Sequence, residues 1–454
     1  MYSVSFYTLG CRLNQAETAI FSDIFRKRGY VIREFGEPTD ACIINTCSVT
    51  GQSEARCRNI IRNVLRRRPE TLMAVVGCYA QVGIDAIKAI PGVDLIVGTE
   101  RKFDIVEYVD DLLTAHGGMT AVKAGDAAEK IPIVIHSPTM SKAAFTLPAT
   151  GNFVKHTRAN IKIQDGCDFF CSYCIVPYTR GRDRSRVFDD IRKEAIELAR
   201  RGHRELVMTG VNIGTYRSDG NTFLDVVKML EDIDGIERIR ITSIEPMTIP
   251  EGIIDYMVRS KKLCNFFHIP LQSGDNTILQ RMNRRYRRED FIAFVEQLAG
   301  AVPDVGIGTD IIVGFPGEGD AEFEHSRQIL ADLPLAYAHV FSFSPREGTR
   351  AAKFPERVAS EIVKSRSQIL RDLSNEKRRA FYTQSIGKRM AVLFERRNKD
   401  GLFTGYAGNY MKVGVETDAD LGNTICDVTI LEAREKLVIG RLCSYEELRI
   451  GRTE

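Results

Sequence analysis

Eleven cysteines stand in this 454-residue sequence, and three form a compact run: Cys167, Cys171 and Cys174, spaced C-x3-C-x2-C. The run follows directly on a predicted strand, Ala159–Gln164. A structural zinc would want a fourth Cys or His close by, and none is adjacent to the triplet. Three thiolates can instead hold three irons of a four-iron cluster and leave the last iron open to an outside ligand. S-adenosylmethionine is the cofactor whose radical chemistry depends on such an open iron.

A second set is dispersed. Cys11, Cys47 and Cys78 each fall just past the carboxyl end of a predicted strand, after Thr8-Leu9-Gly10, Asn45-Thr46 and Val76-Gly77. In a parallel α/β sheet those ends converge on one edge, so thiols far apart in sequence can meet. Gly10 and Gly77 let the backbone turn tightly beside a bulky ligand. A second cluster, a zinc site and three unrelated thiols are all open readings, and the matched placement favours ligation. Cys42, Cys57, Cys264, Cys426 and Cys443 are expected to act as small buried hydrophobes.

Both sets need a scaffold, and the chain reads as three parts. Residues 1–112 alternate strand (Val4–Thr8, Ala41–Asn45, Leu72–Val76) and amphipathic helix (Gln15–Arg28, Ser53–Arg68), the rhythm of a parallel α/β domain. Residues 113–150 lose the pattern and read as a linker or an irregular hairpin. From 151 to 383 six βα units follow, with strands at Ala159–Gln164, Glu205–Met208, Arg238–Ser243, Asn265–Leu271, Gly306–Val313 and Ala338–Phe343. That succession predicts a full or partial (β/α) barrel, whose chemistry sits at the strand carboxyl ends. Residues 384–448 hold five short strands with turn residues between them, which fits a small all-β barrel of the oligonucleotide-binding kind.

Composition excludes some classes. Hydrophobic residues at 44% and charged ones at 27% are ordinary for a globular protein, so wholesale disorder is out. No stretch reaches the ~18 apolar residues of a membrane span, and Met1–Gly10 lacks the pattern of an export leader. The expectation is a soluble, cytoplasmic protein with no membrane partner. Reduced thiols suit that compartment. The net charge of +3 is too small to announce nucleic acid, and the runs Arg66–Arg68, Arg180–Arg186 and Arg284–Arg288 read first as solvated helix faces.

Taken together, these motifs resemble the radical S-adenosylmethionine methylthiotransferase family. The resemblance rests on the C-x3-C-x2-C loop together with Thr8-Leu9-Gly10-Cys11-Arg12-Leu13-Asn14-Gln15-Ala16-Glu17-Thr18, Asn45-Thr46-Cys47-Ser48-Val49-Thr50 and Val76-Gly77-Cys78-Tyr79-Ala80-Gln81, and it spans essentially the whole chain. It implies an N-terminal methylthiotransferase domain, a partial (β/α)6 radical core and a C-terminal TRAM domain. Within the family the start motif looks most like the branch acting on N6-threonylcarbamoyladenosine in tRNA, although Arg12-Leu13 stands where Lys-Val is expected.

The resemblance further implies two [4Fe-4S] clusters. Cys167, Cys171 and Cys174 would hold the one that binds and cleaves S-adenosylmethionine, and Cys11, Cys47 and Cys78 an auxiliary one that carries the sulfur. Two cofactor molecules would serve each turnover, one giving a methyl group and one a 5′-deoxyadenosyl radical. An electron donor such as flavodoxin or ferredoxin and a sulfur donor would be partners. Gly210 and Asn212, Ser243 and Glu245, Gln272, and Asp310 end four successive barrel strands and would contact the cofactor.

Arg180, Arg182, Arg184 and Arg186, so close to the cluster loop, suit contact with RNA phosphate and the cofactor carboxylate. Arg396, Arg397, Lys399, Phe403, Tyr406, Tyr410 and Lys412 mix cations with aromatics, which fits the unstacked bases of a tRNA anticodon stem-loop. Two rivals stay in play. One is the same chemistry on N6-isopentenyladenosine or on a ribosomal-protein aspartate. The other is a non-catalytic RNA-binding protein whose cysteines hold zinc.

Overall fold

Parallel strands with both faces covered read as unbroken apolar runs, and the N-terminal sheet is built on two of them. The computed structural model describes residues 1–115, 131–151 and 157–443. In it β3 (Ala41–Thr46) and β4 (Leu72–Gly77) are buried at every residue. Around them lie β1 (Ser3–Thr8), β2 (Val31–Arg33), β5 (Leu95–Val97) and β6 (Ile133–Ile135), in the order β2-β1-β3-β4-β5-β6, all parallel. Strand β6 corrects the reading of 113–150 as linker or hairpin: Ile133–Ile135 pairs in register with Leu95–Val97. Residues 116–130 of that stretch lie outside the described residues. Helices α1 (Arg12–Lys27), α2 (Gly51–Arg67) and the short α3 (Cys78–Val82) follow β1, β3 and β4.

The central part is the expected six-stranded arc. Strands β7 (Arg158–Lys162), β8 (Glu205–Thr209) and β9 (Arg238–Ile241) form one parallel sheet. A second holds β10 (Phe266–His268), β11 (Gly306–Val313) and β12 (Tyr337–Ser342). Parallel bridges Ile239 to Leu263 and Ser243 to His268 join them into a partial barrel in chain order. Helix α1 of the first domain packs on β7, and its Ala19 sits in the same apolar core as Ala159 and Ile161 of that strand.

The tail closes into a barrel of β13 (Arg389–Arg397), β14 (Phe403–Ala407), β15 (Lys412–Val415), β16 (Ile425–Ala433) and β17 (Val438–Leu442), ordered β13-β14-β15-β17-β16. It is seated on the central part by arginines. Arg238 donates to the carbonyls of Tyr406 (2.8 Å) and Ala391 (2.6 Å), and Arg240 to that of Gly408 (2.7 Å). Residues 444–448 of the expected tail domain lie outside the described residues. Among the described residues no helix is long and apolar enough to cross a membrane.

Candidate active site

Strands β1, β3 and β4 are neighbours in the sheet, and each ends at one thiol of the dispersed set. Cys11 caps the start of α1, Cys47 follows β3, and Cys78 opens α3. Gly10 and Gly77 both hold positive φ, +99° and +94°. A Cβ on Gly10 would come within 2.9 Å of the Cys47 sulfur, and one on Gly77 within 2.4 Å of Asn45 Oδ1. Only glycine fits either turn. The other motif residues tie the strand ends together. Asn14 Nδ2 donates to the carbonyls of Leu9 (2.7 Å) and Thr46 (2.9 Å), and the Thr46 hydroxyl donates to that of Val76 (2.6 Å). Cys57 is buried on α2 and donates to the Cys47 carbonyl, a packing role as expected.

Burial pushes the Cys47 thiol up to about 12, with the charges of Cys78 and Cys11 adding to it. Burial raises Cys11 as well, against the lowering pull of Arg180. A metal cation bound there would displace the thiol protons and hold the sulfurs as thiolates. Among the described residues neither thiol trio gathers its sulfurs within 4.8 Å, whereas a tetrahedral zinc would set them about 3.8 Å apart.

The contiguous trio is pinned from one side. Ser172 donates from its N–H to Met282 O (2.9 Å) and from its hydroxyl to Arg281 O (2.8 Å), and Asn283 Nδ2 reaches the carbonyls of Phe169 and Phe170. Beside them Arg284 donates to Cys171 Sγ (3.3 Å) and ion-pairs with Glu245. Its side chain is 2% exposed. This corrects the reading of the Arg284–Arg288 run as a solvated face for Arg284, while Arg285 and Arg287 are exposed as expected. Burial raises Cys167 to about 12, and it raises Cys171 against the opposing charge of Arg284.

A cleft of about 720 Å³ joins the first domain to the barrel mouth. Gly10, Cys11 and Cys47 line it on one side, and on the other Gly210 and Ser243 just past their strands, His268 at the end of β10, and Asp310 and His339 within β11 and β12. Asp310, expected to end its strand, stands inside it, because β11 runs on to Val313. Asp310 is the one residue of β11 not fully buried, and it takes a hydrogen bond from His268 Nε2 at 2.9 Å. His268, Asp310 and His339 bring three ligating atoms within 4.8 Å, a grouping the sequence did not single out. Asn212, Glu245 and Gln272 lie outside the lining. Asn212 is buried at the end of β8 with its Nδ2 unpartnered, a donor in want of an acceptor. Gln272 holds a left-handed backbone, φ +65°, beside β11.

Comparison with known proteins agrees with this geometry. Residues 161–330 match the radical SAM superfamily and residues 3–98 the group described as uncharacterized protein family UPF0004. A "Threonylcarbamoyladenosine tRNA methylthiotransferase MtaB" of Bacillus subtilis is 35% identical, over 95% of this chain and 94% of its own length. One of the same name from Thermotoga maritima is 32% identical over 91% of each chain. The chain belongs to the radical S-adenosylmethionine tRNA methylthiotransferases. A "tRNA-2-methylthio-N(6)-dimethylallyladenosine synthase" of Opitutus terrae is also 32% identical, over 97% of this chain and 98% of its own. Among solved structures, the radical S-adenosylmethionine methyltransferase TsrM of Kitasatospora setae shares the fold at 13% identity, with a TM-score of 0.54 over 75% of this chain and 73% of that one.

In this methylthiotransferase the arginines after the cluster loop are mostly not offered to RNA. Arg180 is buried, donating to Glu17 Oε1 (2.9 Å), Asp165 Oδ1 (3.0 Å) and Asn14 Oδ1 (2.5 Å). Lys102 and Lys162 also reach Glu17, at 2.7 and 2.8 Å. Burial works to raise the Glu17 carboxyl, and the charges of Arg180, Lys102 and Lys162 overcome it and hold it low. Arg184 is mostly covered against Glu100, and Arg186 is buried against Asp190 and Glu194. Of the four, Arg182 is half open to solvent, paired with Asp168 at 3.0 Å.

The tail is corrected in part. Phe403 lies in the apolar core of the small barrel, not on a base-stacking surface. Tyr406 and Tyr410 stack on each other at 5.0 Å, with the Arg158 guanidinium 4.4 Å from the Tyr406 ring, at the joint with the central part. Arg396, Arg397 and Lys399 are exposed and Lys412 is half-buried.

Proposed function

We propose that this methylthiotransferase inserts a methylthio group at C2 of N6-threonylcarbamoyladenosine at tRNA position 37, next to the anticodon, using two molecules of S-adenosylmethionine. The observation that carries the reading is the single cleft shared by Cys11 and Cys47 with the barrel strand ends, because sulfur delivery and hydrogen removal must address one carbon. The substrate is supported by the names of the Bacillus and Thermotoga relatives. Both thiol trios suit [4Fe-4S] clusters: each offers three unbridged sulfurs, with Cys47 and Cys78 buried, Cys11 exposed and the contiguous trio half-buried, and Gly10 and Gly77 leave room at the dispersed one.

Bound there, the clusters and cofactor supply the radical, the sulfur and the methyl group that acid–base chemistry cannot bring to an aromatic C–H. The chain's residues position and insulate. Arg284 holds a positive charge against Cys171, and Glu245 orients Arg284. Arg180 places one against Cys11. The unpartnered Asn212 amide and Gly210 suit the polar end of the cofactor, with Ser243 and Asp310 in the cleft lining and Gln272 beside β11 next to it. Arg182, Arg396, Arg397 and Lys412 remain as the contacts for the anticodon stem-loop. Reducing equivalents from a flavodoxin or ferredoxin and a sulfur donor complete the cycle in the cytoplasm.

The test is an anaerobic reaction of the iron-reconstituted protein with reductant, S-adenosylmethionine and tRNA carrying threonylcarbamoyl-adenosine, read by nucleoside mass spectrometry. A methylthio gain on that nucleoside is expected. Gain only on an isopentenyl-adenosine substrate would move the enzyme to the second branch, and zinc without iron or sulfide would remove the reaction altogether.

A further inference from the structure

One guanidinium lines the cleft without an acid to balance it. Arg12 is the first residue of α1, adjacent to Cys11, and shares the lining with His268, Asp310, Tyr337 and Tyr410. It donates from Nη2 to the Tyr410 hydroxyl. The neighbouring cations are paired: Arg240 with Glu205 at 2.7 Å and Arg158 with Glu395 at 2.9 Å. Among the described residues no carboxylate stands within 4.0 Å of Arg12. The helix adds to the imbalance, since its first turn carries the positive end of the dipole and has no acidic residue.

The Tyr410 phenol registers the resulting field. Burial alone would raise it, yet the charges of Arg12, Arg158 and Arg240 bring it below its ordinary value. The one carboxylate among the described residues lining this cleft, Asp310, is engaged by His268. A concave, electropositive corner with one unspent cation is a site for an anion.

We propose that Arg12 is a specificity residue: it binds the carboxylate that ends the threonylcarbamoyl substituent. The inference rests on the substrate reading above. In the substrate base, C2 and the carbon bearing N6 flank the same ring nitrogen. A side chain that reads the substituent must therefore stand close to the group that attacks C2, and Arg12 is the residue next to Cys11. An oxyanion could also come from an RNA phosphate or from the cofactor's own carboxylate, and the experiment separates the three.

Anticodon stem-loops carrying threonylcarbamoyl-adenosine, or its neutral carboxamide analogue, would be offered to the reconstituted full-length wild type and to Arg12→Gln and Arg12→Lys. Wild type should prefer the carboxylate by about tenfold to hundredfold in kcat/KM, chiefly through KM. Arg12→Gln should lose that preference by falling on the carboxylate substrate alone, and Arg12→Lys should recover most of it. Equal losses on both substrates would assign Arg12 to phosphate or to the seating of Tyr410 and overturn the proposal. Loss of 5′-deoxyadenosine formation without RNA in Arg12→Gln would assign it to the cofactor, with the same result. A wild type inactive on both stem-loops would instead sink the substrate reading itself.

Discussion

Cys167, Cys171 and Cys174 come from one loop pinned by the segment Arg281–Arg285, whereas Cys11, Cys47 and Cys78 come from the ends of three strands. The first trio needs little more than its loop to be in place. The second needs the whole N-terminal sheet, and with it the buried charges that lock α1 to the central barrel. Each has an arginine beside one thiol, but of different kinds. Arg284 has the partly open Glu245 as its carboxylate, while Arg180 is sunk among Glu17, Asp165, Lys102 and Lys162. The local site is therefore sensitive to its neighbours and the assembled one to the fold.

The largest break in the comparison is Cys171→Ala, which should abolish both 5′-deoxyadenosine and methylthiolated product in the anaerobic assay. Cys47→Ala should stop methylthiolation while sparing some 5′-deoxyadenosine; equal loss of both would end the division of labour between the trios. Third, Arg180→Met strips two buried carboxylates of a partner and should cost about 3–5 kcal/mol of stability, seen as a lower Tm by circular dichroism. The same network predicts acid lability. Glu17 and Asp165 are held below the ordinary carboxylate range, so their stabilisation is complete above that range and drains away as pH falls through their lowered values. Glu17→Gln should flatten that limb of the Tm–pH curve. Fourth, Arg284→Ala should slow cofactor cleavage by about ten- to hundredfold and lower Tm less than Arg180→Met does, because its one carboxylate, Glu245, is partly open to water. Smallest, Arg396→Ala with Arg397→Ala should weaken stem-loop binding only a few-fold and reduce its salt dependence by about two phosphate contacts.

Legibility followed the range of the interactions. The six barrel strands and the C-x3-C-x2-C loop could be read because a recurring strand–helix rhythm and local spacing carry their own signal. Strands Val31–Arg33, Leu95–Val97 and Ile133–Ile135 could not, since three residues show no period and only their partners make them strands. Arg180 and Arg186 looked like surface cations because the acids that bury them, Glu17 among them, are remote in sequence or sit on a facing helix. Phe403 looked like a stacking ring because an aromatic beside arginines has the same composition inside a small barrel as on its surface. Arg284 was not legible either, because the contacts of Arg281, Met282 and Asn283 that bring it to Cys171 are made with a loop more than a hundred residues away.

Helix α1 carries Cys11 as its cap, Asn14 and Glu17 on the turns beyond, and Ala19 in the core of the other domain. At 1.5 Å per residue, Glu17 stands about 9 Å along the axis from Cys11. The helix thus works as a gauge block wedged between two machined parts. The spacing between the sulfur-bearing end and the barrel mouth is thereby tied to the packing of α1 on β7. A nucleotide must be turned out of its loop and carried to that gap, and hydrogen exchange should find α1 and β7 opening together as one unit.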